Sequence, residues 1–357
     1  MLSNIVSIPL SGLYAIGVQV RHWLYDHHLL PSVSVSVPTI CVGNLAVGGT
    51  GKTPHVEMIV RLLREHGWKV AVLSRGYKRK TRGFVLADAQ STARTIGDEA
   101  MQIHEKFPDV AVAVSESRVH GVHQLQRRVE GLDVVVLDDA MQHRSIRCGL
   151  TILLTAYDRL YIDDHLLPWG TLRDLRHRAL AADMIVVSKC PEHMQPIDKR
   201  VIDNRLHLPT YQHLYFSDMH YLPVAAEGTP LVVCGIAQPT YLTAYVQQHY
   251  PHAEVMTFGD HYAYRAKDIQ AIMARSKHYD FVLTTEKDMQ RLRLTTLERQ
   301  LAEAGKRLVV LPIEARLIHD AEGFARQILT YVRENRRNEL RVKSGELRDQ
   351  RPTTNDQ

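Results

Sequence analysis

The chain has 357 residues, of which 45% are hydrophobic and 23% are charged, and its formal net charge is +5. This length and composition predict a globular protein of about two domains and exclude a fibrous, a disordered or a multi-span membrane protein. The positive charge suits an anionic substrate or an anionic lipid surface, and no nucleic-acid-binding motif accompanies it. The cysteines lie far apart without a CxxC pair, so the sequence favours neither a zinc site nor a disulfide framework.

Residues 1–20 contain no charged side chain, and basic and aromatic residues then arrive together from Arg21 to His28. An apolar stretch that ends in such a cluster is typical of a helix that lies in a membrane interface. Polar residues within the stretch argue against a spanning helix, and no basic residues precede it as they would in a signal peptide. We therefore predict an amphipathic membrane-interface segment over residues 1–30; the alternative is a helix packed on the protein's own core.

A glycine-rich stretch follows the apolar run at 39–42 and precedes a helical pattern that begins near Thr53. Backbone amides in such a loop cradle phosphate oxygens, while Lys52 supplies a mobile ammonium and Thr53 offers a hydroxyl to Mg²⁺. The expected ligand is a nucleoside triphosphate, and the alternative is a glycine-rich turn that matches by chance. The predicted nucleotide-binding residues are Ala46, Val47, Gly48, Gly49, Thr50, Gly51, Lys52 and Thr53.

Beyond this loop, short apolar runs rich in β-branched residues alternate with helical patterns. This alternation predicts an α/β fold of the P-loop NTPase type, with a mostly parallel sheet covered by helices and ligands at the carboxyl ends of the strands. Predicted strands of this first series are 69–73, 110–114, 134–137, 150–154 and 184–187.

The pattern changes to an alternation of polar and aromatic residues around 207–223, after which a second αβ series begins. Its predicted strands are 231–234, 255–258, 281–284 and 308–311. From residue 333 onward the chain offers little to bury. We predict a P-loop kinase domain over 31–206, a two-stranded linker over 207–224, a smaller C-terminal α/β domain over 225–334 and a flexible polar tail over 335–357.

Two carboxylates, Asp138 and Asp139, end a buried apolar run. This is the Walker B arrangement, in which one acid reaches the metal directly or through water, and we assign that role to Asp138. Asp139 points to the opposite side of an extended chain and is expected to organise the loop that holds Gln142 and His143. A solvated strand end is the alternative.

Several motifs occur in a fixed order along nearly the whole chain. They are VGNLAVGGTGKTP at 42–54, SRGYKRK at 74–80, GDEA at 97–100, DDAMQH at 138–143, LLPWGTLRD at 166–174, CGIAQP at 234–239, FGDHYAY at 258–264 and TTEKDMQRL at 284–292. Together they resemble the tetraacyldisaccharide 4'-kinase family of lipid A biosynthesis. The departures are GDEA for the usual GDEP, DDAMQH for DDGLQH, and LLPWGTLRD where LPAGPLRE is usual, and none removes a required charge.

The resemblance implies transfer of phosphate from ATP, with Mg²⁺, to the 4'-hydroxyl of an acylated glucosamine disaccharide 1-phosphate. It also implies that Asp98 accepts the hydroxyl proton with help from His261, while Glu99 lies near the metal and Lys52 stabilises transferring charge. Without the resemblance, Asp98 and Glu99 read as an ordinary acidic helix start and His261 as a structural histidine. The enzyme is expected on the cytoplasmic face of the bacterial inner membrane, as a peripheral protein without an obligate protein partner.

Further charged and polar residues near these motifs are candidates for contacts with donor or acceptor phosphates. The basic run that begins at Arg75 is assigned to the acceptor phosphate or headgroup, although such runs usually just face water. The candidates are Arg75, Lys78, Arg118, Asp139, His143 and Arg173.

Two other functions stay open on the sequence. One is a nucleotide-driven membrane switch ATPase, against which stand the second αβ series and Val47, since such ATPases place a lysine at this position of the loop. The other is a kinase for a soluble metabolite, in which the first 30 residues would merely pack on the protein.

Overall fold

A computed structural model describes residues 4–343 of the protein, with side chains over residues 6–336. Residues 1–3 of the predicted interface segment and residues 344–357 of the predicted tail lie outside this range. The strands are β1 (Val33–Ser34), β2 (Thr39–Asn44), β3 (Val70–Ser74), β4 (Val85–Leu86), β5 (Ala111–Val114), β6 (Val134–Asp138), β7 (Ile146–Arg147), β8 (Leu150–Ala156), β9 (Met184–Ser188), β10 (His213–Tyr221), β11 (Pro230–Cys234), β12 (Glu254–Thr257), β13 (Phe281–Thr285), β14 (Leu308–Leu311) and β15 (Ile313–Leu317). The helices are α1 (Asn4–Asp26), α2 (Lys52–Glu65), α3 (Ala93–Ile96), α4 (Asp98–Lys106), α5 (Arg118–Arg128), α6 (Pro196–Leu206), α7 (Thr240–His249), α8 (Ala266–Ser276), α9 (Glu286–Leu292), α10 (Leu297–Glu303) and α11 (Ala321–Lys343), with a 3-10 helix at Arg176–Ala181.

The larger sheet has the spatial order β15-β10-β9-β8-β2-β6-β3-β5-β4, and all of its pairs are parallel except those of the edge strands β15 and β4. Every residue of β2, β3, β6, β8 and β9 is buried, because helices cover both faces and such strands need apolar side chains on both sides. The predicted P-loop NTPase-type sheet is confirmed, with strand ends within two residues of the predicted ones.

The helices α2 and α11 share one core beneath this sheet. Val56 and Ile59 of α2 and Phe324 and Ile328 of α11 are buried in the same cluster. α11 therefore belongs with the larger sheet, and the predicted C-terminal domain, 225–334, ends too late. Apolar periodicity tells which face of a helix is buried but not which sheet covers it. α11 also continues to Lys343, so the first nine positions of the predicted flexible tail are helical.

The connection between the two sheets differs in detail from the prediction. Residues 207–224 contain one strand, β10, which pairs with β9 in parallel and with β15 in antiparallel orientation. The second strand of the two-stranded connection is therefore β15, from residues 313–317. The sequence could not indicate this partner, because the two strands lie about 100 residues apart and strand pairing depends on the tertiary fold.

A second, four-stranded parallel sheet has the order β12-β11-β13-β14 and carries α7, α8, α9 and α10. Its two faces pack separate clusters, one around Leu231 and Ile272 and one around Val232 and Leu283. This is the predicted smaller α/β unit. We call it the small domain and the larger sheet with its helices the large domain.

α1 lies on the large domain with its polar side inward. Ser7, Ser11 and His22 are buried, whereas Leu13 and Ile16 are 66% and 62% exposed. Within the described residues, no helix combines the length and the apolar character needed to cross a bilayer. The outward apolar side fits the predicted amphipathic segment, and it differs from the alternative in which the apolar side packs on the core.

Candidate active site

The glycine-rich loop connects β2 to α2 at the carboxyl edge of the large sheet. Gly48 and Gly51 have φ angles of 104° and 79°, in the left-handed region that glycine adopts without the strain of a Cβ. Residues 46–53 all line a cleft of about 850 Å³, whose other wall comes from the small domain. The predicted nucleotide-binding residues are thus together, at the N-terminus of α2, where backbone amides and the helix dipole favour phosphate.

Asn44 connects this loop to the rest of the cleft, although the sequence analysis did not single it out. Its amide Nδ2 donates to Thr50 Oγ1 at 2.8 Å, and its Oδ1 accepts from Lys52 Nζ at 3.3 Å and from Arg173 Nη2 at 2.6 Å. Asn44 is fully buried. The sequence feature that could have identified Asn44 is a polar residue at the end of an apolar strand, directly before the glycine-rich loop.

Asp138 ends β6, next to β2, and is 2% exposed. Among the residues that the structure describes, its Oδ1 has no hydrogen-bond partner, and burial, together with the charges of Glu99 and Asp139, raises its pKa. An orphaned carboxylate oxygen beside another acid fits a divalent cation, which would supply the missing positive charge.

Mg²⁺ bound with nucleotides usually takes one or two carboxylates plus phosphate oxygens and water. Within residues 4–343, no group of three or more acidic, histidine or cysteine side chains is arranged to hold a metal ion by itself. Thr53, Glu99 and Asp138 all line the cleft. These predicted metal-side residues therefore fit Mg²⁺ as a partner of the triphosphate.

Asp139 has a left-handed backbone, with φ of 51°, which turns its side chain towards two cations. Arg173 Nη1 donates to its Oδ2 at 2.8 Å, a second guanidinium bond reaches Oδ1, and Lys52 Nζ lies 4.0 Å from Oδ2. Burial alone would raise the pKa of Asp139, but Lys52 and Arg173 lower it to about 2. The carboxylate thus holds cations, which makes it a positioning group for phosphate-binding side chains and not itself a phosphate ligand.

The structure contradicts the expected phosphate contact of Arg118. Its side chain is 1% exposed, and it donates to the backbone oxygens of Ser115 at 2.8 Å and Asp138 at 3.0 Å. The guanidinium therefore braces the end of β6 from behind, away from the cleft. Ser117, the residue before Arg118, caps α5 by accepting from His120 N, so this part of the sequence initiates a helix.

The other phosphate candidates, Arg75, Lys78, His143 and Arg173, line the cleft. Lys78 Nζ donates to the backbone oxygen of His261 at 3.3 Å and so reaches the small domain. Burial, together with nearby arginines, lowers the pKa of His143 to about 4, which keeps this imidazole neutral at pH 7. Positive charge in this part of the cleft therefore comes from the arginine and lysine side chains.

The predicted catalytic pair is formed across the two domains. His261 Nδ1 and Asp98 Oδ2 are 2.9 Å apart, although the two residues are separated by 163 positions. Burial favours a raised pKa for Asp98, but the hydrogen bond from His261 and the charges of Lys287 and Arg291 outweigh it and lower the pKa. His261 lines the cleft, and Asp98, 5% exposed, lies directly behind it.

Lys287 and Arg291 of α9 complete this group, and the sequence analysis assigned them no definite role. Lys287 Nζ lies 3.1 Å from both His261 Nε2 and Glu99 Oε1, and Arg291 Nε lies 3.6 Å from Asp98 Oδ2. The sequence feature that could have identified them is the charged run directly after the predicted strand 281–284. A lysine only donates hydrogen bonds, so His261 Nε2 accepts here and the ring proton is on Nδ1, facing Asp98.

Lys189, which the sequence analysis also left without a role, lies beside the phosphate loop. It follows β9 with φ of 59° and is hydrogen-bonded to Gln238 Oε1 at 2.5 Å, and its Nζ lies 5.0 Å from the Tyr241 ring centroid. Burial lowers its pKa to about 8. Its neighbour Ser188 donates to the backbone oxygen of Thr50 at 2.9 Å, so this strand end supports the loop.

Comparisons with known proteins agree with this geometry. A sequence model of the family described as Tetraacyldisaccharide-1-P 4'-kinase matches residues 4–333. A Bacteroides thetaiotaomicron protein named tetraacyldisaccharide 4'-kinase is 43% identical over 92% of this chain and 93% of its own. A Flavobacterium johnsoniae protein of the same name is 39% identical over 92% and 97%.

A solved structure points the same way. The crystal structure of the "apo" form of LpxK from Aquifex aeolicus in complex with ATP has a TM-score of 0.69 and 26% identity, and the match covers 91% of this chain and 98% of that one. The nucleotide in that structure agrees with the phosphate loop described above. The match of the family model across residues 4–333 and relatives above 30% identity over most of the chain lead to one conclusion: this chain belongs to the tetraacyldisaccharide 4'-kinase family.

Proposed function

We propose that the protein transfers the γ-phosphate of ATP to the 4'-hydroxyl of a tetraacylated glucosamine disaccharide 1-phosphate, a step of lipid A biosynthesis. The observation that carries this proposal is the composition of one cleft. It is lined by a phosphate-binding loop of the large domain and by His261 of the small domain, which is hydrogen-bonded to Asp98. A donor site and a proton acceptor in one cleft are the two parts that phosphoryl transfer to an alcohol needs.

On the donor side, the loop amides and Lys52 bind the triphosphate. Asn44 and Asp139 hold the ammonium of Lys52 at 3.3 Å and 4.0 Å in this structure, so it is already directed to the cleft. Thr53 and Asp138, with Glu99 nearby, would hold Mg²⁺, which would supply positive charge to the donor phosphates. Charge spreads over the transferred group's oxygens in the transition state, so preorganised cations contribute strongly to the rate.

On the acceptor side, Asp98 takes the proton of the sugar hydroxyl. Lys287 occupies the Nε2 lone pair of His261, so the carboxylate of Asp98, which accepts the hydrogen bond from Nδ1 of His261, is the proton acceptor of the pair. The depressed pKa of Asp98 keeps it ionised at neutral pH. Its main contribution is then to orient the hydroxyl for in-line attack, because a loose transition state needs little proton transfer before bond formation.

Arg75, Lys78 and Arg173 line the same cleft and provide the positive charge for phosphates of donor or acceptor. Guanidinium groups bind phosphate through two parallel hydrogen bonds, which fixes orientation as well as charge. Arg173 is held by Asn44 and Asp139, so it is ordered before any ligand arrives.

We propose that α1 lies on the cytoplasmic face of the inner membrane, as a peripheral anchor that brings the cleft to its lipid substrate. Its outward side is apolar, with Leu13 and Ile16 well exposed, and Trp23 is 48% exposed near its end. Such a helix gains free energy when this side enters the headgroup boundary of a bilayer. Tyr14 and Arg21 of the same helix line the cleft, so a lipid in the membrane meets the cleft directly.

We propose a division into the interface helix at 4–30, a large domain at 31–222 and 313–343, and a small domain at 223–312. The support is that β10 and β15 lie side by side, so the chain enters and leaves the small domain through adjacent strands. Adjacent crossings allow the small domain to move as a unit about a short hinge.

The test is a transfer assay with γ-labelled ATP, Mg²⁺ and the 1-phosphorylated tetraacyl disaccharide in detergent micelles. The expected result is label in the lipid, at the 4'-position, and none with the Lys52→Ala protein. Hydrolysis of ATP without labelled lipid would instead support a switch ATPase. Equal labelling of a water-soluble sugar would support a kinase for a soluble metabolite.

A further inference from the structure

A largely buried cluster of two acids and one lysine lies where the two domains meet, with Glu57 1%, Glu286 13% and Lys106 20% exposed. Lys106 Nζ lies 2.7 Å from Glu57 Oε2 and 2.8 Å from Glu286 Oε1. Gln102 Nε2 donates to Glu57 Oε1 at 2.8 Å. We call Glu57, Lys106 and Glu286 the ionic cluster; the mechanism above does not use it.

Each member belongs to a different helix, and each of these helices begins at the cleft. Glu57 is in α2, which starts with Lys52; Lys106 ends α4, which starts with Asp98; and Glu286 starts α9, which continues with Lys287. The N-terminal ends of the three helices thus carry the donor ammonium, the proton acceptor and the cation that holds His261. The ionic cluster joins these three helices to one another.

The cluster also contacts the chain where it returns from the small domain. Lys106 Nζ donates to the backbone oxygen of Ile313 at 3.4 Å, and Ile313 N donates to Glu286 Oε2 at 3.4 Å. Ile313 is the first residue of β15, one of the two adjacent strands that link the domains. The ionic cluster therefore lies at the hinge itself.

Stability alone is a weak reason for this arrangement. Glu57 is 1% exposed, and burial, partly offset by Lys106, raises its pKa to about 7. Removing charged groups from water costs free energy that their mutual attraction often fails to return, and apolar replacements are commonly as stable. In some proteins a buried polar or ionic group fixes one arrangement of the elements around it, and this is the role that the position of the ionic cluster favours here.

We propose that Lys106 is a positioning residue for phosphoryl transfer: by holding Glu57 and Glu286 together, it fixes the distance between the donor phosphates on α2 and the Asp98–His261 pair on α4 and the small domain. This inference rests on the kinase activity proposed above. Lys106 does not line the cleft, and it acts through the three helices.

The test compares steady-state kinetics and ATP binding in Lys106→Met, Glu57→Gln and the double variant. Misplacement of reacting groups by about 1 Å costs on the order of 100-fold in rate, so kcat is expected to fall about 10- to 100-fold in Lys106→Met. The KM for ATP and its calorimetric Kd should stay unchanged, because the phosphate loop is intact. This split between kcat and KM would not follow from general loosening of the fold.

Lys106→Met leaves the carboxylates of Glu57 and Glu286 facing each other without a cation, which threatens folding. The double variant, Glu57→Gln with Lys106→Met, neutralises the fully buried acid and removes the repulsion between the two; Glu286, which is 13% exposed, keeps its charge, and the protein should melt near the wild-type temperature. Its kcat should remain low, because the connection between the helices is still missing. Recovery of both melting temperature and kcat would overturn the positioning role and make the cluster purely structural.

Arg64→Met is the matched control. Arg64 also belongs to α2, and its Nη2 lies 2.6 Å from Oδ1 of Asp109, just beyond α4, but these side chains are 35% and 58% exposed and neither lines the cleft. The kcat of the Arg64→Met protein should equal the wild-type value. Absence of lipid phosphorylation by the wild-type protein would overturn the kinase proposal itself, whereas an active wild type with an equally active double variant would overturn only the role of Lys106.

Discussion

The two sides of the cleft are built differently. The donor side comes from a continuous stretch of the large domain, Asn44 to Thr53, with Asp138 and Asp139 on the adjacent strand. The proposed acceptor side combines Asp98 of the large domain with His261 and Lys287 of the small domain, which are hydrogen-bonded to one another. A local motif can bind a nucleotide by itself, but the acceptor side exists only when the two domains are correctly placed. Donor binding and catalysis should therefore be separable by mutation.

Lys52→Ala should have the largest effect and abolish turnover. The substitution removes the ammonium that neutralises the transferring phosphate, at a side chain that is 16% exposed, so folding should be retained. The check is kcat together with a thermal melt. Lys69→Ala serves as the control and should be fully active, because Lys69 lies at the amino end of β3, away from the carboxyl edge that forms the cleft. If the Lys52→Ala protein were unfolded, its loss of turnover would say nothing about catalysis.

Asp98→Ala should reduce kcat by about 100- to 10,000-fold, the range typical of a lost general base, because the group that orients the hydroxyl and accepts its proton is removed. His261 would lose its hydrogen-bond acceptor at 2.9 Å but keep its contact with Lys287. Steady-state kinetics with saturating ATP and acceptor measure the effect. Near-normal turnover would mean that another group accepts the proton, and it would contradict the assignment of Asp98 and His261 to the acceptor side.

The double variant Leu13→Glu and Ile16→Glu should raise the apparent KM for acceptor in micelles or vesicles by about 10-fold or more, because each charge opposes insertion of α1 into the interface. kcat should change little. Ile197→Glu, an equally exposed apolar position on α6 at 63%, is the control and should leave the KM unchanged. Equal effects of both substitutions would contradict a specific role of α1.

The smallest expected effect concerns pH and stability. The pKa of Asp139 is lowered from 3.8 to about 2 in the folded protein, so its contribution to stability is complete above pH 3.8 and is lost as pH falls towards 2. Asp139→Asn removes that contribution. The melting temperatures of the two proteins should therefore differ near pH 5 and converge near pH 2. A constant difference across this range would contradict the ion pairs of Asp139.

The sequence predicted the donor side well because its elements are local. The loop from Ala46 to Thr53 and the acids after β6 are readable from spacing and apolar runs, and the parallel sheet follows from the alternation. Asn44 and Lys189 could not be assigned a role from the sequence, because their contribution to the site consists of tertiary contacts. A single polar residue at a strand end forms no sequence pattern, so its partners can be identified only when the neighbouring strands have been placed.

The acceptor side could not be derived from spacing. Asp98 and His261 were identified through the family resemblance, since nothing local connects residues 163 positions apart. The same limit explains the errors at Arg118 and at the domain boundary. Arg118 was predicted to bind phosphate because of its charge, but the side chain is buried and donates to three backbone oxygens. The periodicity of α11 shows which of its faces is buried, but it does not show that this face packs on the large sheet.

The separation of donor binding from catalysis is tested most directly by calorimetric titration of Asp98→Ala and Lys52→Ala with ATP and Mg²⁺. The Asp98→Ala protein should bind with the wild-type Kd despite its lost turnover, whereas the Lys52→Ala protein should bind far more weakly. Equal weakening of ATP binding in both proteins would contradict a donor site that the large domain forms independently of the acceptor side.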